Sequence, residues 1–179
     1  SHDLPDLLSL TDNLMLLKNG QLLGHGKFTD LLDQPDNLAL MHESGWYNVM
    51  HLSVFAHLES KNMVLLKSHK SNLQIQALTQ TIGKDVEVNQ ELKVLIKPES
   101  IALSKEPVQN ISLRNQVEGS MNDVFLKDGL TSCIVDVGEN IIVEVTDASQ
   151  KRMIRENGKR VYCLFKSAAL NIYETSRLR

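Results

Sequence analysis

The sequence predicts a mainly β protein, with small OB-like β-barrel modules in tandem preceded by a short α/β segment. Two observations carry this. From residue 47 onward, apolar residues recur with a period of two in short runs. Polar turn clusters such as SHKSN and TIGKD separate those runs at the spacing of a small barrel or sandwich.

The elements follow in order. Leu4, Leu7 and Leu8 share a helical face over residues 3–10, where Pro5 is tolerated because it falls in the first turn. LMLLKNGQLLGHG reads as strand, Asn19–Gly20 turn and strand. KFTDLLDQP gives a short helix stopped near Pro35, and DNLALMHESGW a helical turn ending at Gly45. In YNVMHLSVFAHLE, the residues Met50, Leu52, Val54, Ala56 and Leu58 alternate to one face. NMVLLKS, NLQIQAL, DVEVN and ELKVLIK follow as short strands. LSKEPVQNI, residues 103–111, is a polar connector holding Pro107, and a domain boundary is expected there.

The pattern then restarts. RNQVEGSMNDVFL is a strand that turns at Asp128–Gly129, TSCIVDVG pairs back, and IIVEV follows Gly138. TDASQKRMIRENG reads as one short helix, with Thr146 or Asp147 as N-cap and Asn157–Gly158 closing it. KRVYCLFK and ALNIYE complete five strands with a helix before the fourth, which is the order of an oligonucleotide/oligosaccharide-binding barrel. The β-rich stretches 45–103 and 111–174 read as distant copies of one pattern.

Composition bounds the function. A net charge of −3 lacks the basic footprint of a nucleic-acid binder, and 4% aromatics leave few base-stacking platforms. Cys133 and Cys163 each lie in an apolar strand-like run and read as buried reduced thiols. No apolar run reaches the ~18 residues that span a bilayer, and no signal peptide is seen, so direct membrane insertion is not expected. His25, His42, His51, His57 and His69 show no metal-ligand spacing, since even His51 and His57 on one strand stand about 20 Å apart. No carboxylate dyad or nucleophile–base set stands out. The chain starts with secondary structure under way and is expected to be part of something larger.

Two stretches carry a family resemblance. SHDLPDLLSLTDNLMLLKNGQLLGHGKFTDLL resembles the end of the ATPase domain of ABC transporters, with His2, Asp12, Gly20 and Gly26 as the matching residues. The second half resembles the molybdate-binding (Mop/TOBE-type) module of the small molybdo-pterin-binding proteins, which also ends the ATP-binding subunit of molybdate importers. Its marks are SLRNQVEGS (112–120), VTDASQKRM (145–153) and VYCLFKSAAL (161–170). The chain as a whole is similar to the C-terminal part of such a subunit, although over 45–103 only the strand pattern matches. Phe165 before Lys166 and the polar run MIRENG depart from the family's usual residues.

The resemblance implies three parts: residues 1–35 as an incomplete end of an ABC ATPase domain, 36–110 as a first regulatory subdomain, and 111–179 as a molybdate-binding-like barrel. It also implies a ligand. A tetrahedral dianion offers four acceptor oxygens and no donor, so it needs convergent N–H and O–H groups and a cation. Ser112, Arg114, Asn115, Lys166 and Ser167 supply these types, and the backbone amides of residues 112–115, Leu113 included, add more. Each charge-assisted hydrogen bond contributes about 1.5–3 kcal/mol, so four or five allow micromolar binding. In the family the oxyanion lies between modules and a neighbour adds groups near the short helix, here Thr146 and Ser149. Solvated surface charges and an ordinary turn before a strand remain the alternative reading of these residues.

The resemblance gives His2 the role of the switch-loop histidine at the γ-phosphate, in the parent ATPase only. This chain has no G-x-x-x-x-G-K-[ST] loop, so ATP and magnesium belong to the parent and the chain alone is not expected to be an enzyme. The expected ligand is molybdate or tungstate. The expected partners are a second copy, forming a homodimer through the barrels, and a membrane permease reached through the parent's ATPase domain. No nucleic acid is expected. The implied place is cytoplasmic, peripheral at the inner face of the plasma membrane, and the implied role is feedback of oxyanion on ATP-driven import. A ligand-free structural dimerisation domain, and a molybdate storage or transcription-regulating module, are the alternatives.

Overall fold

Two five-stranded antiparallel sheets form the body of the protein, with a small α/β segment laid on their outside. The computed structural model describes residues 4–32, 47–58, 62–82, 86–127, 130–149 and 160–174. The elements are α1 (Leu4–Leu10), β1 (Asn13–Lys18), β2 (Gln21–Lys27), α2 (Phe28–Leu32), β3 (Asn48–His57), β4 (Met63–Ser68), β5 (Gln74–Leu78), β6 (Glu91–Ile96), β7 (Ala102–Ser104), β8 (Asn115–Lys127), β9 (Leu130–Asp136), β10 (Asn140–Thr146), β11 (Arg160–Phe165) and β12 (Asn171–Glu174). The fold is mainly β, and the helices among the described residues are short. His2, the helical turn before Gly45, the Asp128–Gly129 turn and the helix beyond residue 149 lie outside the described residues.

The first sheet runs β12-β6-β3-β4-β5 and the second β10-β9-β8-β11-β7. Each sheet therefore holds one strand from the other half of the chain. β7 pairs with β11 through Ala102–Leu164, and β12 pairs with β6 through Asn171–Leu95. Further features repeat between the halves. Asn48 stands opposite Ile96 and Asn115 opposite Phe165. The long strands β3 and β8 are each broken by a bulge, at Phe55 and at Asn122. Lys97 and Lys166 each precede a single 3-10 turn, closed by Ser100 N–H to Lys97 O and Ala169 N–H to Lys166 O, both at 3.0 Å.

Period-two patterning explains the core. Leu52, Val54, Leu66, Ile75, Leu92, Val94 and Ile96 of one sheet meet Met121, Val135, Val143, Val161 and Phe165 of the other in a single buried cluster. Phe165 is 3% exposed, so its ring fills this core. The alternation foreseen along β3 ends at the bulge. Phe55 is extruded and 52% exposed, with the Lys67 ammonium 5.5 Å from its ring centroid. In place of the strand foreseen at DVEVN, residues 86–89 form none and the chain turns at 88–89: Asn89 takes φ +69°, its N–H donates to Val54 O at 2.7 Å, and Val54 N–H donates to Gln90 O at 3.0 Å. Asn tolerates that left-handed conformation and so ends an otherwise strand-like run. Between the sheets, the loop holding Gly138 (φ +96°) is seated so closely on Ser71 that a Cβ there would lie 2.5 Å from that side chain.

A second cluster binds the N-terminal segment. Leu8, Phe28 and Leu31 pack on Tyr47, Leu95 and Ile142, outside the main core. Lys93 is 5% exposed, and its Nζ donates to Leu8 O at 2.5 Å and pairs with Asp12 at 2.6 Å. The β1–β2 hairpin turns at Asn19 (φ 51°) and Gly20 (φ 79°), the two positive φ angles that a tight hairpin turn requires.

Cys133 and Cys163 are buried in the main cluster. Burial pushes Cys133 up to about 11. Burial, then the neighbouring Cys133, pushes Cys163 up to about 12. From the ordinary value of 9.0 these are raised acids, so the folded chain keeps protons that the unfolded chain releases. The stability they contribute is complete below pH 9 and is lost as pH rises toward 11–12, by roughly 3 kcal/mol for Cys133 and roughly 4 kcal/mol for Cys163. Urea unfolding between pH 8 and 11 is expected to show this fall, and the Cys133→Ala/Cys163→Ala variant to flatten it. An unchanged slope in the variant would show that other groups carry the alkaline loss.

Candidate functional site

The segment leading into β8 places Ser112 and Arg114 at the surface, with Leu113 half-buried between them. Asn115, the first residue of β8, is 3% exposed. Its side-chain oxygen accepts from Gln76 N–H at 2.7 Å, and its amide donates to Gln76 O at 3.0 Å and to Ser167 Oγ at 3.5 Å. Asn115 thus ties β8 to β5 of the other sheet and to the turn after β11.

Strand register brings the second segment to the same place. Asn115 faces Phe165, the last residue of β11, so Lys166 and Ser167 emerge beside residues 112–115. Ser167 is buried, opening its 3-10 turn, and Lys166 is exposed. Among the described residues neither Arg114 nor Lys166 has a carboxylate partner. The corner therefore sets two cations with no carboxylate partner among the described residues, two hydroxyls and a run of backbone amides around one buried asparagine. That is a donor-rich, cationic surface suited to an anion with many acceptor oxygens.

Thr146 and Ser149 are elsewhere in the chain. Thr146 ends β10 and caps the turn that follows, donating to Ser149 Oγ at 3.0 Å and accepting from Ser149 N–H at 3.3 Å. It faces Leu130, which faces Lys127 at the far end of β8 from Asn115. The 13 residues of β8, at about 3.3 Å each, put up to about 40 Å of strand between them. One chain does not bring this pair to the corner.

Sequence reasoning missed Asn48. Its side chain makes the equivalent clamp in the other half, donating to Ile142 O at 2.8 Å and accepting from Ile142 N–H at 2.7 Å. Setting YNVMHLSV against RNQVEGSM, and VLIKPES against CLFKSAA, is the signal that finds it. Among the described residues no three His, Cys, Asp or Glu side chains converge to hold a metal ion. No helix among them is long and apolar enough to cross a membrane.

No family model matches the sequence. Over 172 residues, 95% of the chain, it is 25% identical to the molybdenum import ATP-binding protein ModC of Rhizobium etli, covering 46% of that protein. Over 105 residues, 59% of the chain and 27% of the relative, it is 24% identical to the spermidine/putrescine import ATP-binding protein PotA of Pasteurella multocida. In structure it is similar to the cytoplasmic molybdate-binding protein ModG, solved with molybdate bound, at a TM-score of 0.62 and 15% identity. That match covers 72% of this chain and 96% of the other, and it shows a shared fold of curled sheets. The chain spans about half the length of the molybdenum-import relatives that it matches.

Proposed function

We propose that this chain, a homologue of the C-terminal region of the molybdenum-import ATP-binding proteins, binds a tetrahedral molybdenum or tungsten oxyanion at the corner of residues 112–115 and 166–167. The Asn115 clamp is the observation that carries the reading, because it locks the two segments together from opposite ends of the barrel sequence. Arg114 and Lys166 offset the dianion's charge, and Ser112, Ser167 and the backbone amides complete its shell. Thr146 and Ser149 join from a second copy, so the ligand forms between barrels of a homodimer.

In this reading residues 1–35 end an ATPase domain whose His2, with ATP and magnesium, works in the parent protein. Residues 36–110 and 111–179 are its regulatory part. Oxyanion held between two copies favours one dimer arrangement and so biases ATP-driven import through the permease, a coupling between two sites. The parent complex sits at the inner face of the membrane. A ligand-free scaffold is the second reading, and similarity to a polyamine importer's ATP-binding protein supports it.

Thermal melts with molybdate, against sulfate at matched ionic strength, separate the two. At ~100 times the dissociation constant, ligand adds about 2.7 kcal/mol, a rise of roughly 2–4 °C for a chain this size. Arg114→Ala and Lys166→Ala are expected to abolish the rise while moving the ligand-free melt little, since both residues are exposed. A wild-type melt that ignores both anions favours the scaffold.

A further inference from the structure

The two halves repeat one framework, but their corners differ in chemistry. The second corner keeps the clamp at Asn48 and a lysine, Lys97, in the place of Lys166. Tyr47 stands where the other corner has Arg114, and it is 9% exposed, packed with Leu8, Phe28 and Leu31. Pro98 stands where the other has Ser167, so both a hydroxyl and a backbone N–H are gone. The Lys97 ammonium lies 5.6 Å from the Tyr47 ring centroid and 3.7 Å from the Glu99 carboxylate. Ala168 occupies the place of Glu99 in the other half. A dianion at this second corner would lose a guanidinium, a hydroxyl and an amide, and would face a carboxylate.

We infer that each chain offers a single oxyanion corner, the pseudo-equivalent one at Asn48, Lys97 and Pro98 having become the seat of the N-terminal helices; this rests on the function proposed above. What the second corner lost in donors it gained in contacts. Tyr47 belongs to the cluster that holds α1 and α2. Lys93, on the same strand as Lys97's approach, binds the end of α1 and Asp12, whereas Tyr162 takes its place in the other half. Duplication supplied two corners, and one now joins segments within the chain.

Equilibrium dialysis of the full chain against molybdate counts bound ions directly, with sulfate as the control. At most one molybdate per chain is expected. Lys97→Ala should leave the count and the affinity within about twofold of wild type, and Lys166→Ala should remove binding. Two ions per chain, or a tenfold loss of affinity in Lys97→Ala, would overturn the single-corner inference and leave the proposed function standing. No molybdate retained by folded wild-type chain would overturn the proposed function, and this inference with it.

Discussion

Asn115→Ala is expected to lower stability by about 1–3 kcal/mol and to remove the molybdate-dependent rise in melting temperature. Asn48→Ala should cost at least as much, about 2–4 kcal/mol, and leave that rise intact. The stability effect is shared because each asparagine satisfies both the N–H and the C=O of one residue on the facing edge strand. Truncation orphans both groups, at about 1–3 kcal/mol for each buried one. The Asn48 figure is the higher because Ile142 is 8% exposed whereas Gln76 is only partly buried, so water can reach the orphans left at Gln76. The ligand effect differs because only Asn115 also holds Ser167. Urea unfolding gives the first comparison and melts with molybdate the second. If both variants lose the molybdate response equally, the clamp acts through general stability and not through the corner.

Lys93→Met is the second large effect. Removing one partner of a buried ion pair costs about 3–5 kcal/mol. Asp12 is 38% exposed and can regain water, which brings the expected loss to about 2–3 kcal/mol. The methionine keeps the apolar stem against the cluster, so the loss falls on the charge and on the bond to Leu8 O. The damage should be local: faster amide exchange and proteolysis within residues 4–32, with the strands of both sheets protected as before. Uniform loss of protection across the sheets would show that Lys93 supports the barrels and not the docking of the helices.

Much of this was legible in the sequence, for definite reasons. The period of two marks strands because one face of each must meet the core, and a cap was legible at Thr146 or Asp147, where the Thr146 hydroxyl accepts from Ser149 N–H. The hairpin at Asn19–Gly20 was equally plain, since few other pairs accept two positive φ angles. DVEVN misled because Val86 and Val88 alternate as a strand would, while Asn89 turns the chain. Nothing in ALS or NIYE says which sheet each joins, since three or four residues pair with any edge of suitable register. Of the corner, the donor types at Ser112, Arg114, Lys166 and Ser167 stood out only through family likeness. Their meeting point depended on the Asn115–Phe165 register, which is a property of the pairing and not of either segment.

The traded strands have a topological consequence. A half-length chain starting at residue 111 would carry β12 with no β6 to receive it, and β11 with no β7 beside it. It would present one vacant edge and one homeless strand, which are complementary by the repeat itself. Two such half-chains, each lending its last strand to the other, would rebuild the same pair of sheets without any covalent link between them. The connector at 105–114 therefore decides valency more than shape, since it makes permanent within one molecule an embrace that two molecules could form and dissolve.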